Sequence, residues 1–161
     1  MSIRAIFRLS AVASFVSAAV FGWLYAWPWL RNRERQVALA MLVAPHMFLR
    51  FIGLSFLVPG VVSPDLPAAF AAPAAYGDLV AGILAVIAAA ALARRTPWAV
   101  PAVWVFNVWG AADLLFAFYE GPQARIRPEQ LGAAFYIPTA IVPPLLVTHA
   151  LISLLLARRS H

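Results

Sequence analysis

A histidine and an arginine stand one helical turn apart in the run Pro45-His46-Met47-Phe48-Leu49-Arg50-Phe51-Ile52-Gly53. Residues four apart on a helix share a face, so His46 and Arg50 point the same way. The apolar run around them is long enough to cross a bilayer, and a guanidinium held at that depth is costly unless it is paired. Asp78 and Asp113 are the two carboxylates carried by the other apolar runs. An arginine fork can hold a carboxylate through two parallel hydrogen bonds. One arginine facing two aspartates leaves a surplus negative charge if both are ionised. A protonated aspartate, a protonated His46, or a cationic ligand or metal ion would each resolve it, and each implies a different function.

Three further runs add polar groups. Asn107, Gly110 and Asp113 follow at intervals of three and cover one wide helix face. Tyr136, Thr139, Val142, Leu146, His149 and Ser153 share a face of the last apolar run. The candidate ligand-binding set is therefore His46, Arg50, Asp78, Asn107, Asp113, Tyr136, Thr139 and His149.

Plainer readings stand beside each of these. Arg50 with Asp78 and Asp113 can be a clamp between helices, and Asn107 can be helix-to-helix glue. His46 can be satisfied by the carbonyl freed at Pro45 or by Asn107. His149, beside Thr148, can be interfacial, as can Tyr76, Tyr119 and Tyr136.

The ligand types of His46, His149, Asp78 and Asp113 suit a metal ion, but no Glu-x-x-His or His-x-x-x-His element occurs. A haem would need His46 and His149 at facing levels. No Gly-rich phosphate loop or nucleophile elbow is present, and the absence of Cys removes thiolate chemistry and disulfides. General acid–base work by a buried Asp is the chemistry left open, with no catalytic residue singled out.

These groups sit in a chain of 161 residues that is 64% hydrophobic and 11% charged. Soluble domains are about 45–50% apolar and about 25% charged, so the composition implies an integral membrane protein. The net charge of +6 comes from arginine alone among the basic residues, clustered at the ends of apolar runs. That is the pattern of anchors facing anionic headgroups and not of a nucleic-acid surface.

The expected architecture is an all-α bundle of five transmembrane helices in one domain, over about 9–30, 36–58, 74–93, 98–119 and 132–157. Pro45, Pro138, Pro143 and Pro144 fall inside spans and should kink them. Trp23, Tyr25, Trp27 and Trp29 close the first span as an interfacial belt. The length of that span and its aromatic end argue against a cleaved signal peptide. Small-residue stripes, Ser10-Ser14-Ala18-Gly22 and Ala81-Ala85-Ala89-Ala93, suit close helix packing.

Counting arginines on alternate loops gives four on one side (Arg4, Arg8, Arg125, Arg127) and seven on the other (Arg31, Arg33, Arg35, Arg94, Arg95, Arg158, Arg159). The excess favours a bacterial-type plasma membrane with the N-terminus outside and the C-terminus cytoplasmic. At about 1.5 Å per residue, His46 and Asn107 fall near mid-span, with Arg50, Asp78 and Asp113 on one side and His149 about 6 Å to the other.

In size, span number and tryptophan content the chain resembles the translocator (tryptophan-rich sensory) proteins, small five-helix membrane proteins that bind lipophilic ligands. The resemblance is one of architecture and transfers no site residue. The stretch Tyr136-Ile137-Pro138-Thr139 with Pro143-Pro144-Leu145-Leu146-Val147-Thr148-His149 resembles small bacterial membrane proteins and implies no activity.

The leading expectation is binding, or passage, of a small ligand, proton or cation at the intramembrane polar column. The alternatives are an intramembrane acid–base enzyme of isomerase or hydratase type acting on a lipophilic substrate, and a structural subunit of a larger complex. The implied partners are membrane lipids, the lipophilic or ionic ligand and, through span one, a second copy of the chain.

Overall fold

Five helices are long and apolar enough to cross a membrane: α1 (Ile3–Leu30), α2 (Arg35–Leu57), α3 (Ala68–Ala93), α4 (Ala99–Gln123) and α5 (Ile137–Ala157). A computed structural model describes residues 1–158. Arg159, counted above with the C-terminal arginines, lies outside the described residues. The structure is all-helical, with 82% of residues in helix and no strand among the described residues. The elements match the expected spans with shifted ends. The largest shifts are in α1 and α3, which each start six residues early, at Ile3 and at Ala68, so that α3 carries Pro73 inside it.

Proline dictates where the helices change form. In α2 the regular helix stops at Val43, restarts at His46 after Ala44-Pro45, and tightens to a 3-10 helix over Arg50–Leu57. Pro45 has no N–H to return to the Met41 carbonyl, so the ladder must break there. In α5 a π-helical turn at Ile137–Ile141 contains Pro138, and the regular helix begins at Val142 with Pro143 and Pro144 in its first turn. A similar π turn, Gly22–Ala26, precedes Pro28 in α1.

α2, α3, α4 and α5 pack around the interior, whereas α1 lies at the edge with little of its apolar surface buried. Its stripe Ser10, Ser14 and Ala18 is half-buried and ends in buried Gly22, where an added Cβ would meet Val147 of α5 at 3.0 Å. In α3, Ala81 and Ala85 are buried as expected, but the buried line continues through Ala88 and Ala91, leaving Ala89 half-buried and Ala93 exposed. A strict four-residue step drifts off a 3.6-residue helix, so the contact face must switch to a three-residue step.

Two apolar clusters divide the interior. One, at the α1–α2 and α3–α4 turns, is built on Leu39, Val43, Val103, Phe106 and Ile152. The other lies toward the opposite end, on Phe56, Phe70, Leu114, Leu131 and Leu145. At that end the α2–α3 connection pairs with a 3-10 segment, Pro128–Phe135. Ser63 N donates to Gln130 O, Ala133 N to Val61 O, and the Gln130 amide to Asp65 O. Gly132 sits at φ 52°, and a Cβ there would crowd the Val61 carbonyl carbon at 3.2 Å. Only glycine meets both demands.

Candidate functional site

The polar centre forms because three helices place a glycine opposite a charged side chain. A Cβ at Gly53 would lie 2.6 Å from Asp78 Cβ, and one at Gly77 would lie 2.8 Å from Asp113 Cγ. One at Gly110 would meet the His149 ring at 2.6 Å and Arg50 Nη2 at 2.9 Å. The missing side chains are the space the cluster occupies.

Arg50 is 1% exposed and reaches across the bundle. Its Nη1 donates to Asp78 Oδ1 at 2.5 Å and to Asp113 Oδ2 at 2.9 Å. Its Nη2 donates to the Gly110 carbonyl and to His149 Nε2, the latter at 3.2 Å. Only Nε, also buried, has no partner. Four of the five donors of the guanidinium are thus engaged. The second oxygen of each carboxylate, Asp78 Oδ2 and Asp113 Oδ1, accepts no hydrogen bond among the described residues.

Arginine has no acceptor, so His149 Nε2 must be bare and its proton sits on Nδ1. That N–H donates to Asn107 Oδ1 at 2.9 Å, Asn107 Nδ2 donates to Ser153 Oγ at 2.8 Å, and Ser153 Oγ donates back to the His149 carbonyl at 2.9 Å. His46 is fully buried and packs against His149 in a tilted contact, with ring centroids 4.4 Å apart. Its Nε2 lies 2.8 Å from Thr148 Oγ1, whose proton goes to the Leu145 carbonyl. The hydroxyl can then only accept, so His46 carries Nε2–H and its bare Nδ1 is left without a partner.

Above the two aspartates, toward the Arg4 and Arg125 end, lies a cavity of about 440 Å³. Asp78 and Asp113 form its polar floor, Phe7, Phe56, Phe70 and Phe118 line its walls, and Arg4, Arg8, Arg125 and Arg127 ring its mouth. Such a volume lies within the usual range for small-molecule sites, about 300–1,000 Å³.

The structure thus brings six of the eight candidate residues into one hydrogen-bonded and ring-stacked group: His46, Arg50, Asp78, Asn107, Asp113 and His149. His149 contacts Arg50 although the rise-per-residue estimate set it on the opposite side of mid-span. His46 stands level with Thr148, the neighbour of His149, and the Arg50 side chain, rooted one turn further along α2, reaches back across that turn. Of the six, only the two aspartates touch the cavity.

Tyr136 and Thr139 lie apart from the group. Tyr136 is 66% exposed, and Thr139 donates to the Phe135 carbonyl of its own turn. The π turn rotates the start of the face that a regular helix would have kept aligned, so Ile137 and Pro138 line the cavity beside Val142. The arginines at the mouth carried a sequence signal as span-end clusters, whereas Gly77 carried none.

No group of three or more His, Cys, Asp or Glu that could hold a metal ion occurs among the described residues. The direct contact between the His46 and His149 rings leaves no gap for a porphyrin between them.

No curated protein and no solved structure matches the chain. The chain belongs to the family described as "Domain of unknown function (DUF8737)", whose match covers residues 6–157.

Proposed function

We propose that this is an integral membrane protein that binds a small lipophilic ligand in the cavity above the Arg50 cluster. Membrane insertion is supported by helices of 21 to 28 residues, about 30–40 Å at 1.5 Å per residue. Their outward faces carry large apolar side chains such as Leu9, Val12, Phe48, Val105 and Leu115. A continuous apolar surface of that kind needs a covering solvent, and lipid supplies it. The excess of arginine at the end opposite the cavity mouth supports a cytoplasmic location for that end, with the cavity opening outward.

The observation that carries the reading is the floor of the cavity: two carboxylates, each with an unengaged oxygen, beneath aromatic walls. Binding is favoured over passage because the inner end is closed. Arg50 fills the space beneath the aspartates, and Phe106, His46 and His149 pack there edge-on or tilted, with ring centroids 4.4–5.2 Å apart. The clamp and the ligand site are then one construction: Arg50 ties three helices together and holds the aspartates at the cavity floor.

The test is native mass spectrometry of the protein extracted from its host membrane in a mild detergent. The expected result is a retained lipophilic molecule that Ala117→Trp, a change at the cavity wall, abolishes while thermal stability is kept. An unliganded wild type that no added lipophile stabilises would sink the proposal.

A further inference from the structure

The geometry points to a single-chain amphiphile as the ligand, with an anionic head at Arg4, Arg8, Arg125 and Arg127 and a hydrogen-bond-donating inner end, hydroxyl or ammonium, at Asp78 and Asp113. This assignment rests on the reading of the cavity as a ligand site and gives that ligand its chemistry.

Charge is ordered along the cavity. Four guanidiniums from two separate segments, the first turns of α1 and the turn after α4, surround the mouth. All four are exposed, and none forms an ion pair among the described residues. Guanidiniums recognise carboxylate and phosphate oxygens through paired N–H donors. The walls between mouth and floor are phenylalanine with Leu114 and Ile137, which offer nothing to a polar midsection. The floor reverses the sign. Arg50 neutralises one carboxylate of two, and with both ionised the unengaged oxygens can only accept. An inner end that donates would satisfy them, whereas a bare methyl would leave them unpaired in an apolar site, a costly arrangement.

Size selects one chain. A volume of about 440 Å³ equals about fifteen waters at ~30 Å³ each, hence about fifteen non-hydrogen atoms. Along α4, from Asp113 at the floor to Gln123 beside the mouth, the helix rises about 15 Å. The mean cross-section is then about 30 Å², which accommodates one hydrocarbon chain and not two. A diacyl lipid does not fit, and a lipophilic cation would meet the arginine ring first.

The experiment places the whole protein in nanodiscs of phosphatidylcholine, which is net neutral, with empty nanodiscs as the blank. Radiolabelled ω-hydroxydodecanoate is displaced by dodecanoate, dodecyl phosphate, dodecanol and dodecyltrimethylammonium. Dodecanoate should bind about tenfold or more tighter than dodecanol, as expected for a charge-assisted hydrogen bond. ω-Hydroxydodecanoate should bind tighter again, and dodecyltrimethylammonium should not compete. Dodecanoate against dodecyl phosphate reads which anion the mouth prefers.

Arg8→Gln with Arg125→Gln should remove the advantage of dodecanoate over the alcohol. Asp113→Asn should reduce the ω-hydroxyl preference. Equal binding of dodecanoate and dodecanol, or no change in the double arginine variant, overturns the head assignment while the cavity reading stands. An ω-hydroxyl preference that is absent, or that survives Asp113→Asn, overturns the inner end. Failure of every probe to bind, or binding that survives Ala117→Trp, overturns the cavity reading itself.

Discussion

Arg50 Nη1 stands 2.5 Å from Asp78 Oδ1, between α2 and α3, and both side chains are withdrawn from solvent. Removing one partner of a buried pair leaves the other charge uncompensated, which costs about 3–5 kcal/mol. Arg50→Met should therefore destabilise by about that amount in a detergent unfolding titration. Asp113→Asn should cost less than about 1.5 kcal/mol, the scale of one ordinary hydrogen bond, because an amide oxygen still accepts from Arg50 and the surplus charge is gone. Equal losses for the two variants would contradict the pairing order.

The glycines facing the cluster give a second prediction. Gly53→Ala and Gly77→Ala each force a methyl against a carboxylate and should destabilise by about 1–3 kcal/mol, as overpacking does. Gly121, on α4, has nothing within 4 Å of an added Cβ. Gly121→Ala should gain about 0.5–1 kcal/mol from helix propensity. Thermal unfolding of the three variants side by side checks the contrast.

The two histidines should show opposite tautomers. His149 donates from Nδ1 to Asn107 and accepts from Arg50 at Nε2, whereas His46 donates from Nε2 to Thr148. Nitrogen-15 spectra of the imidazoles at neutral pH should show a protonated Nδ1 in His149 and a protonated Nε2 in His46. Thr148→Val should perturb the His46 signals and spare those of His149. The same tautomer in both rings would refute the network.

At the surface, Glu34 and Arg95 pair at 3.0 Å with both side chains more than half exposed. Glu34→Gln should change stability by less than about 1 kcal/mol, and added salt should erase even that. The measurement is the same unfolding titration at low and high ionic strength.

Much of this molecule is legible in the order of its residues. Five apolar runs bounded by arginine clusters and prolines give five long helices, because length and composition act locally. The pairing of Arg50 with Asp78 and Asp113 follows from scarcity: an arginine in an apolar run must find a carboxylate, and these were the two on offer. Asn107 was also recognisable as a polar group turned inward, whereas His149, beside Thr148, carried an interfacial reading as well.

What the order of residues could not state is which groups meet. His149 reaches Arg50 because His46 and Thr148 pair across the two helices and the arginine side chain spans the one turn that separates it from that level. The π turn of α5 withdraws Tyr136 and Thr139 from the shared face. Gly77 matters only through the side chain that fills its space, and a glycine announces no partner. The cavity joins Phe7 of α1 to Leu131 of the 3-10 segment. Voids arise where elements distant in sequence fail to touch, so packing in three dimensions decides them and local pattern does not.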